Sequence, residues 1–160
     1  MPSVLFLCTA NRFRSPLAAA IFCNKLNEDG RLASWRVDSA GTWTVPGLPV
    51  IPMALLAAQQ LGLDLNAHAS VLVNAQMLAE HDLILVMETG HKEALASEFP
   101  FVRKRVYLLS EVVDKIAYDI PDPEQSNEEA GEIAQELNDL IQRGYAGICL
   151  LAEALHKQEI

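Results

Sequence analysis

A short apolar run near the start of the chain, residues 4–7, leads directly into Cys8. A run that is apolar on both faces is typical of a strand buried in the middle of a parallel sheet. Pro16 predicts the first residue of a helix, because its fixed φ suits that position and its missing N–H would be unsatisfied there. We therefore predict a strand that ends at Cys8, a short loop, and a helix that begins close to Arg14.

The loop between this strand and this helix can hold a phosphate and a nucleophile together. The five residues between Cys8 and Arg14 can curl into a cradle of backbone N–H groups, which binds a dianionic phosphate and stabilises a thiolate. The planar fork of Arg14 can hold two phosphoryl oxygens at once. By itself the Cys-x5-Arg pattern is common, and a cysteine that ends a strand is often only a small buried residue. In this context it predicts Cys8 as a nucleophile that forms a phosphocysteine.

Strand-like and helix-like segments alternate along the whole chain. Strands are predicted over residues 4–8, 35–39, 82–88 and 105–109, and helices over 16–27, 53–61, 70–80, 89–99 and 127–157. Such alternation predicts an α/β protein, here with three layers: a central four-stranded parallel sheet flanked by helices on both faces. A single domain over residues 1–160 is expected from the length. Gly62 predicts a helix stop, Thr89 a helix cap, and Gly144 and Gly147 allow the last helix to be bent or split.

A second motif, Pro121-Asp122-Pro123, supplies a candidate acid. A phenolate leaving group needs a proton, and the water that later attacks a phosphocysteine needs a base; one carboxylate can serve both steps. Asp119 is the alternative, and an Asp-Pro pair in an exposed turn is also common for structural reasons alone.

Taken in order, these motifs resemble the low-molecular-weight protein tyrosine phosphatases over nearly the whole chain. The resemblance rests on residues 4–16, 38–42, 62–68, 82–87 and 120–123. It implies hydrolysis of phosphotyrosine and aryl phosphates through a phosphocysteine, with Cys8, Arg14 and Asp122 as the catalytic residues. It also implies a phosphate-binding loop and a supporting pair of side chains. The loop residues are Thr9, Ala10, Asn11, Arg12, Phe13 and Ser15, and the supporting residues that brace the loop with Asn11 are Ser39 and His68.

Several positions depart from the family pattern. Phe13 stands where many members have a second cysteine able to form a disulfide with the nucleophile, and Ala10 replaces a glycine of the loop. Glu124 and Gln125 stand where eukaryotic members often have two tyrosines that wall the substrate pocket. Trp43 remains as an aromatic wall that could stack on a phenyl ring. The catalytic set is complete, but the substrate preference is open.

The composition excludes several classes of binding partner. The net charge of −9 argues against nucleic acid or an anionic membrane as partner, and no apolar stretch is long enough to span a bilayer. Three cysteines without metal-ligand spacing indicate no metal, no cofactor and a reducing compartment. The N-terminus lacks a basic segment followed by a cleavable apolar one, so we expect a cytoplasmic protein. The expected partner is a tyrosine-phosphorylated protein, with a bacterial tyrosine kinase as one candidate.

Two other functions are compatible with this fold. A thiol-dependent arsenate reductase commonly needs two further cysteines, near the end of the third strand and in the next loop, and residues 82–105 contain none. A variant assisted by glutaredoxin stays open as an alternative. A non-catalytic phosphopeptide-binding module would have no use for a thiolate or an acid, so the presence of Cys8, Arg14 and Asp122 together argues against it.

Overall fold

The four strands form one parallel sheet. The computed structural model describes residues 1–123 and 127–158, without the side chains of residues 127 and 128. The strands are β1 (Ser3–Cys8), β2 (Arg36–Gly41), β3 (Leu83–Val86) and β4 (Val106–Leu108), and their order in the sheet is β2-β1-β3-β4. The helices are α1 (Arg14–Glu28), α2 (Pro52–Gln60), α3 (Ala75–Glu80), α4 (Thr89–Glu98), α5 (Leu109–Asp114) and α6 (Asn127–Gln158), with short 3-10 helices at Leu32–Ser34 and Pro100–Arg105.

Helices cover both faces of this sheet, which confirms the predicted three layers. Every residue of β1 is buried, as the apolar run predicts for a central strand. Its alternate side chains point to opposite faces: Val4 and Phe6 pack with α1 and α6, whereas Leu5 and Leu7 pack with α3 and α4. Burial on both faces makes β1 and the adjacent β3 a rigid base for the loops that follow them.

The strand order also determines where a ligand can bind. The chain runs from β1 to β2 on one side of the sheet and from β3 to β4 on the other. The carboxyl ends of β1 and β3 are therefore the point at which the connections diverge and leave a crevice, which is the usual ligand position in open α/β sheets. Cys8 ends β1 at this crevice.

Some predicted element boundaries are wrong. Helix α1 begins at Arg14, so Pro16 is its third residue, still within the first turn where a missing N–H costs nothing. Helix α3 begins at Ala75 instead of Ser70, because the Asn74 side chain caps it by accepting the Met77 N–H at 2.8 Å.

Two further helix features were not foreseen from the sequence. Glu88, not Thr89, is the cap of α4. Helix α6 is continuous, and Gly144 lies against α5, which the sequence did not predict: a Cβ there would lie 2.4 Å from Val113 Cγ2. The glycine therefore permits the close packing of α5 on α6. The predicted stop at Gly62 is confirmed by its φ of +74°.

Candidate active site

The sulfur of Cys8 lies among hydrogen-bond donors. The backbone N–H of Asn11 points at Sγ from 3.3 Å, and Ser15 Oγ lies 2.9 Å from Sγ. Ser15 Oγ also accepts a hydrogen bond from Asn11 Nδ2 at 2.8 Å, so its own proton is left for Sγ or for the more distant Ala40 carbonyl at 3.3 Å. Donors at this distance stabilise a thiolate and, later, a thiolate leaving group.

Asn11 holds the loop in shape. It is fully buried and has a φ of +58°, a left-handed conformation that asparagine tolerates better than most residues. Its Oδ1 accepts the Val71 N–H at 2.9 Å, and its Nδ2 donates to Ser39 Oγ at 2.9 Å as well as to Ser15. Its carbonyl accepts a hydrogen bond from His68 Nε2 at 2.8 Å. The structure thus brings Asn11, Ser39 and His68 together, as the resemblance implies.

A glycine on the neighbouring strand lets the loop approach closely. Gly41 pairs with Cys8 across β1 and β2, and a Cβ on it would lie 2.6 Å from the Thr9 carbonyl oxygen. Backbone atoms cannot yield as a flexible side chain can, so any side chain here displaces the loop. The sequence contained this glycine, but only the packing shows why it is needed.

Hydrogen bonds fix one terminal nitrogen of the Arg14 guanidinium group, whereas the edge formed by its other two nitrogens faces the loop. Its side chain is fully buried, and one terminal nitrogen, Nη1, donates to Glu88 Oε2 at 2.5 Å and to the Ile120 carbonyl at 2.8 Å. Its Nε makes no aligned hydrogen bond, although Asp122 Oδ1 lies 2.9 Å away, and its Nη2 is 3.5 Å from Thr9 Oγ1. Nε and Nη2 form what we call the open edge of Arg14: they could bind two oxygens of one anion, and the Asp122 carboxylate faces them.

The structure separates the two candidate acids. Asp119 accepts hydrogen bonds from the N–H and the hydroxyl of Thr89 at 2.7 and 2.8 Å, and these bonds hold the pKa of its carboxyl below the ordinary value. Asp119 is thus tied to the start of α4. The Asp122 side chain is about half exposed, and its carboxylate faces the open edge of Arg14. Asp122 therefore lies beside the loop, where the predicted acid would have to be, whereas Asp119 is held at the start of α4.

Glu88 and His91 were not predicted as site residues. Glu88 follows the buried strand β3, whose carboxyl end lies beside that of β1, and it pairs with Arg14. His91 is buried in the first turn of α4, with Nε2 at 2.8 Å from Thr9 Oγ1. The available signal was a charged residue, Glu88, two positions after the central strand β3. Placing it in the site required the order of the strands in the sheet.

Comparison with known proteins agrees with this geometry. The family model for low molecular weight phosphotyrosine protein phosphatase matches residues 3–159. The chain belongs to this family.

Relatives within the family include phosphatases of two kinds. The protein-arginine-phosphatase of Bacillus subtilis (strain 168) is 31% identical over 142 residues, which cover 84% of this chain and 93% of that protein. The low molecular weight protein-tyrosine-phosphatase Etp of Escherichia coli (strain K12) is 31% identical over 130 residues, 81% of this chain and 82% of the relative. A solved structure of the YwlE arginine phosphatase, a mutant with a phosphorylated active-site serine, aligns at a TM-score of 0.84 and 30% identity over 97% of this chain and 96% of its own.

Three more of the predicted site residues lie in or next to the loop: Trp43, Arg12 and Phe13. Trp43 donates its backbone N–H to the Thr9 carbonyl at 3.0 Å, and its side chain is 83% exposed. Arg12 donates from Nε to the Pro49 carbonyl at 2.8 Å, which holds its side chain against the segment that follows Trp43. Phe13 is buried in the core and precedes α1. Glu124 and Gln125, the other predicted pocket walls, lie outside the described residues.

Outside the site, the structure shows the surroundings of the other two cysteines, and it can be searched for metal sites and for helices that cross a membrane. Both cysteines lie in helices predicted from the sequence and were expected to be buried there. Cys149 is buried, but Cys23 is only partly buried, because it lies on a less covered face of α1. Within residues 1–123 and 127–158, no three histidine, cysteine or acidic side chains are grouped so that they could hold a metal ion. In the same part of the chain, no helix is long and apolar enough to cross a membrane.

Proposed function

We propose that this phosphatase hydrolyses phosphotyrosine in proteins, and aryl phosphates, through a phosphocysteine intermediate on Cys8. The observation that carries the proposal is the convergence, within one loop, of a sulfur surrounded by donors and the open edge of Arg14. A phosphoryl group bound to this edge and to the loop N–H groups would be held close to Sγ. The same donors would stabilise the charge that develops on its oxygens in the transition state.

The reaction would proceed in two balanced steps. First, the Cys8 thiolate forms an S–P bond while the P–O bond to the phenol breaks, and Asp122 gives its proton to the leaving oxygen. Second, Asp122 removes a proton from water, which attacks phosphorus and releases inorganic phosphate and the thiolate. Ser15 supports both steps because its hydroxyl donates to Sγ when the sulfur carries negative charge.

A related structure supports the covalent step. The YwlE mutant mentioned above carries a phosphate on its active-site serine, so in that protein the active-site side chain can be phosphorylated. For the present chain, we propose the same fate for Cys8.

The side chains next to the phosphate-binding loop indicate which leaving group the site prefers. Exposed Trp43 offers an apolar face for a phenyl ring, and the positive charge of Arg12 would oppose the guanidinium of a phosphoarginine. The arginine phosphatases among the relatives favour a second candidate, phosphoarginine in proteins. A groove beside Asp122, lined by Glu129, Glu132 and Glu136, is also compatible with a cationic substrate.

The deciding experiment measures hydrolysis of two versions of one peptide, one carrying phosphotyrosine and the other phosphoarginine. We expect a higher kcat/KM for phosphotyrosine, no loss of activity in EDTA, and no turnover by Cys8→Ser. After rapid quenching, mass spectrometry of the wild-type protein should detect a phosphate on Cys8. A preference for phosphoarginine would establish the second candidate, and full activity of Cys8→Ser would refute both. The proposed partner is a tyrosine-phosphorylated protein, such as a bacterial tyrosine kinase.

A further inference from the structure

The position of the proton on His91 follows from its hydrogen bonds. His91 is almost completely buried, and its Nδ1 lies 3.1 Å from the backbone N–H of Glu88, which can only donate. Nδ1 is therefore the acceptor, and the ring proton resides on Nε2. Nε2 lies 2.8 Å from Thr9 Oγ1 and so donates to it. The cap of α4 thus determines the tautomer of His91.

This tautomer leaves the hydroxyl proton of Thr9 without an acceptor inside the protein. Thr9 Oγ1 has two neighbours in hydrogen-bonding range, His91 Nε2 and Arg14 Nη2 at 3.5 Å, and both are donors. None of the described residues accepts the Thr9 proton. Arg14 Nη2 belongs to the open edge of the guanidinium, so the Thr9 hydroxyl lies beside the place where an anion would bind.

We propose that the Thr9 hydroxyl donates a hydrogen bond to an oxygen of the substrate phosphoryl group, and that His91 positions it for this role. The proposal rests on the proposed function, because it assumes that the loop binds phosphate. Thr9 is then a substrate-binding residue in addition to Arg14, and His91 is a positioning residue that acts through Thr9.

The surroundings of His91 keep it neutral, as this role requires. Burial, and then the positive charge of Arg14, lower its pKa below the ordinary value, while the carboxylates of Glu88, Asp122 and Asp119 act in the opposite direction. A neutral ring retains Nδ1 as the acceptor for the α4 cap and Nε2 as the donor to Thr9.

Phosphate binding tests the proposal without turnover. Inorganic phosphate is titrated by calorimetry into Cys8→Ser and into the same protein with a second change. Thr9→Val should weaken binding about tenfold, the effect of one hydrogen bond to a charged group, and Thr9→Ser should restore it because it retains the hydroxyl. His91→Phe should cause a similar loss, and His91→Gln, whose amide can donate from nearly the same place, should recover part of it.

The combined variant distinguishes positioning from a general structural effect. If His91 acts through Thr9, His91→Phe should change phosphate affinity less than twofold in a Thr9→Val background. Unchanged affinity in Thr9→Val, or an undiminished effect of His91→Phe in that background, would overturn the inference while leaving the proposed function intact. Absence of any phosphate binding by Cys8→Ser and by the wild-type protein would overturn both.

Discussion

Asn11 provides the sharpest test of how the loop keeps its shape. Replacing it by alanine removes three side-chain hydrogen bonds, to Ser15, Ser39 and the Val71 N–H. At a net contribution of about 1 kcal/mol each, these bonds stabilise the folded state by about 3 kcal/mol. Alanine at a φ of +58° adds a further cost of about 1 kcal/mol. Because the loop can relax and admit water, we expect the free energy of unfolding to fall by about 2–4 kcal/mol.

A control variant separates the effect of losing a buried asparagine from the effect of losing an exposed one. Asn74→Ala deletes the same side-chain atoms, but at an exposed helix cap with one hydrogen bond, so its cost should be about 1 kcal/mol. Both variants would be unfolded in urea, and kcat/KM for p-nitrophenyl phosphate would be measured for each. Asn11→Ala should lower kcat/KM about 100-fold, because small misplacements of catalytic groups have effects of this size. Asn74→Ala should leave it unchanged.

The reasoning would be refuted if Asn11→Ala were no less stable than Asn74→Ala and kept its kcat/KM within threefold. In that case the loop would hold its shape through its backbone and through the other contacts alone. Loss of stability with unchanged activity would show that Asn11 supports the fold without shaping the site.

The other predictions concern a helix contact, the acid and oxidation. Gly144→Ala should destabilise the protein by about 1–3 kcal/mol, because its Cβ would lie 2.4 Å from a side chain of α5, whereas Gly147→Ala in the same helix has open space and should stabilise by about 0.5–1 kcal/mol; urea unfolding measures both. Asp122→Ala should lower kcat for phenyl phosphate by a factor on the order of 10²–10⁴. The decrease should be smaller for p-nitrophenyl phosphate, whose better leaving group needs less help from an acid. Asp119→Ala should show a smaller effect without this dependence on the leaving group, and the reverse result would mean that the acid is Asp119. Peroxide should convert Cys8 to a sulfenic acid, and a disulfide as the main product in mass spectrometry would contradict this.

The sequence correctly predicted features that depend only on residues close together along the chain. The burial of β1 follows from an apolar run, and the helix stop at Gly62 follows from the conformational freedom of glycine. The proximity of Cys8 to the start of α1 follows from their short separation along the chain. Such features need only steric rules and hydrophobic periodicity, so they can be recognised before the fold is known.

What the sequence could not decide depends on contacts between distant segments. The pairing of Glu88 with Arg14 exists because β3 lies next to β1, an arrangement that no local pattern encodes. The structural role of Asp119 depends on Thr89, thirty residues earlier, which engages one of two chemically equal carboxylates.

The same reason accounts for the packing at Gly144 and for the site residues that were missed. Gly144 weakens an isolated helix but in the folded protein permits α5 to pack against α6, so tertiary contact outweighs helix propensity. The sequence by itself placed a cysteine and an arginine in one short loop after a buried strand, and this is enough to predict a nucleophile and a phosphate-binding side chain there. Only the tertiary structure determined which side chains surround that loop, because adjacent strands bring together residues that are far apart along the chain.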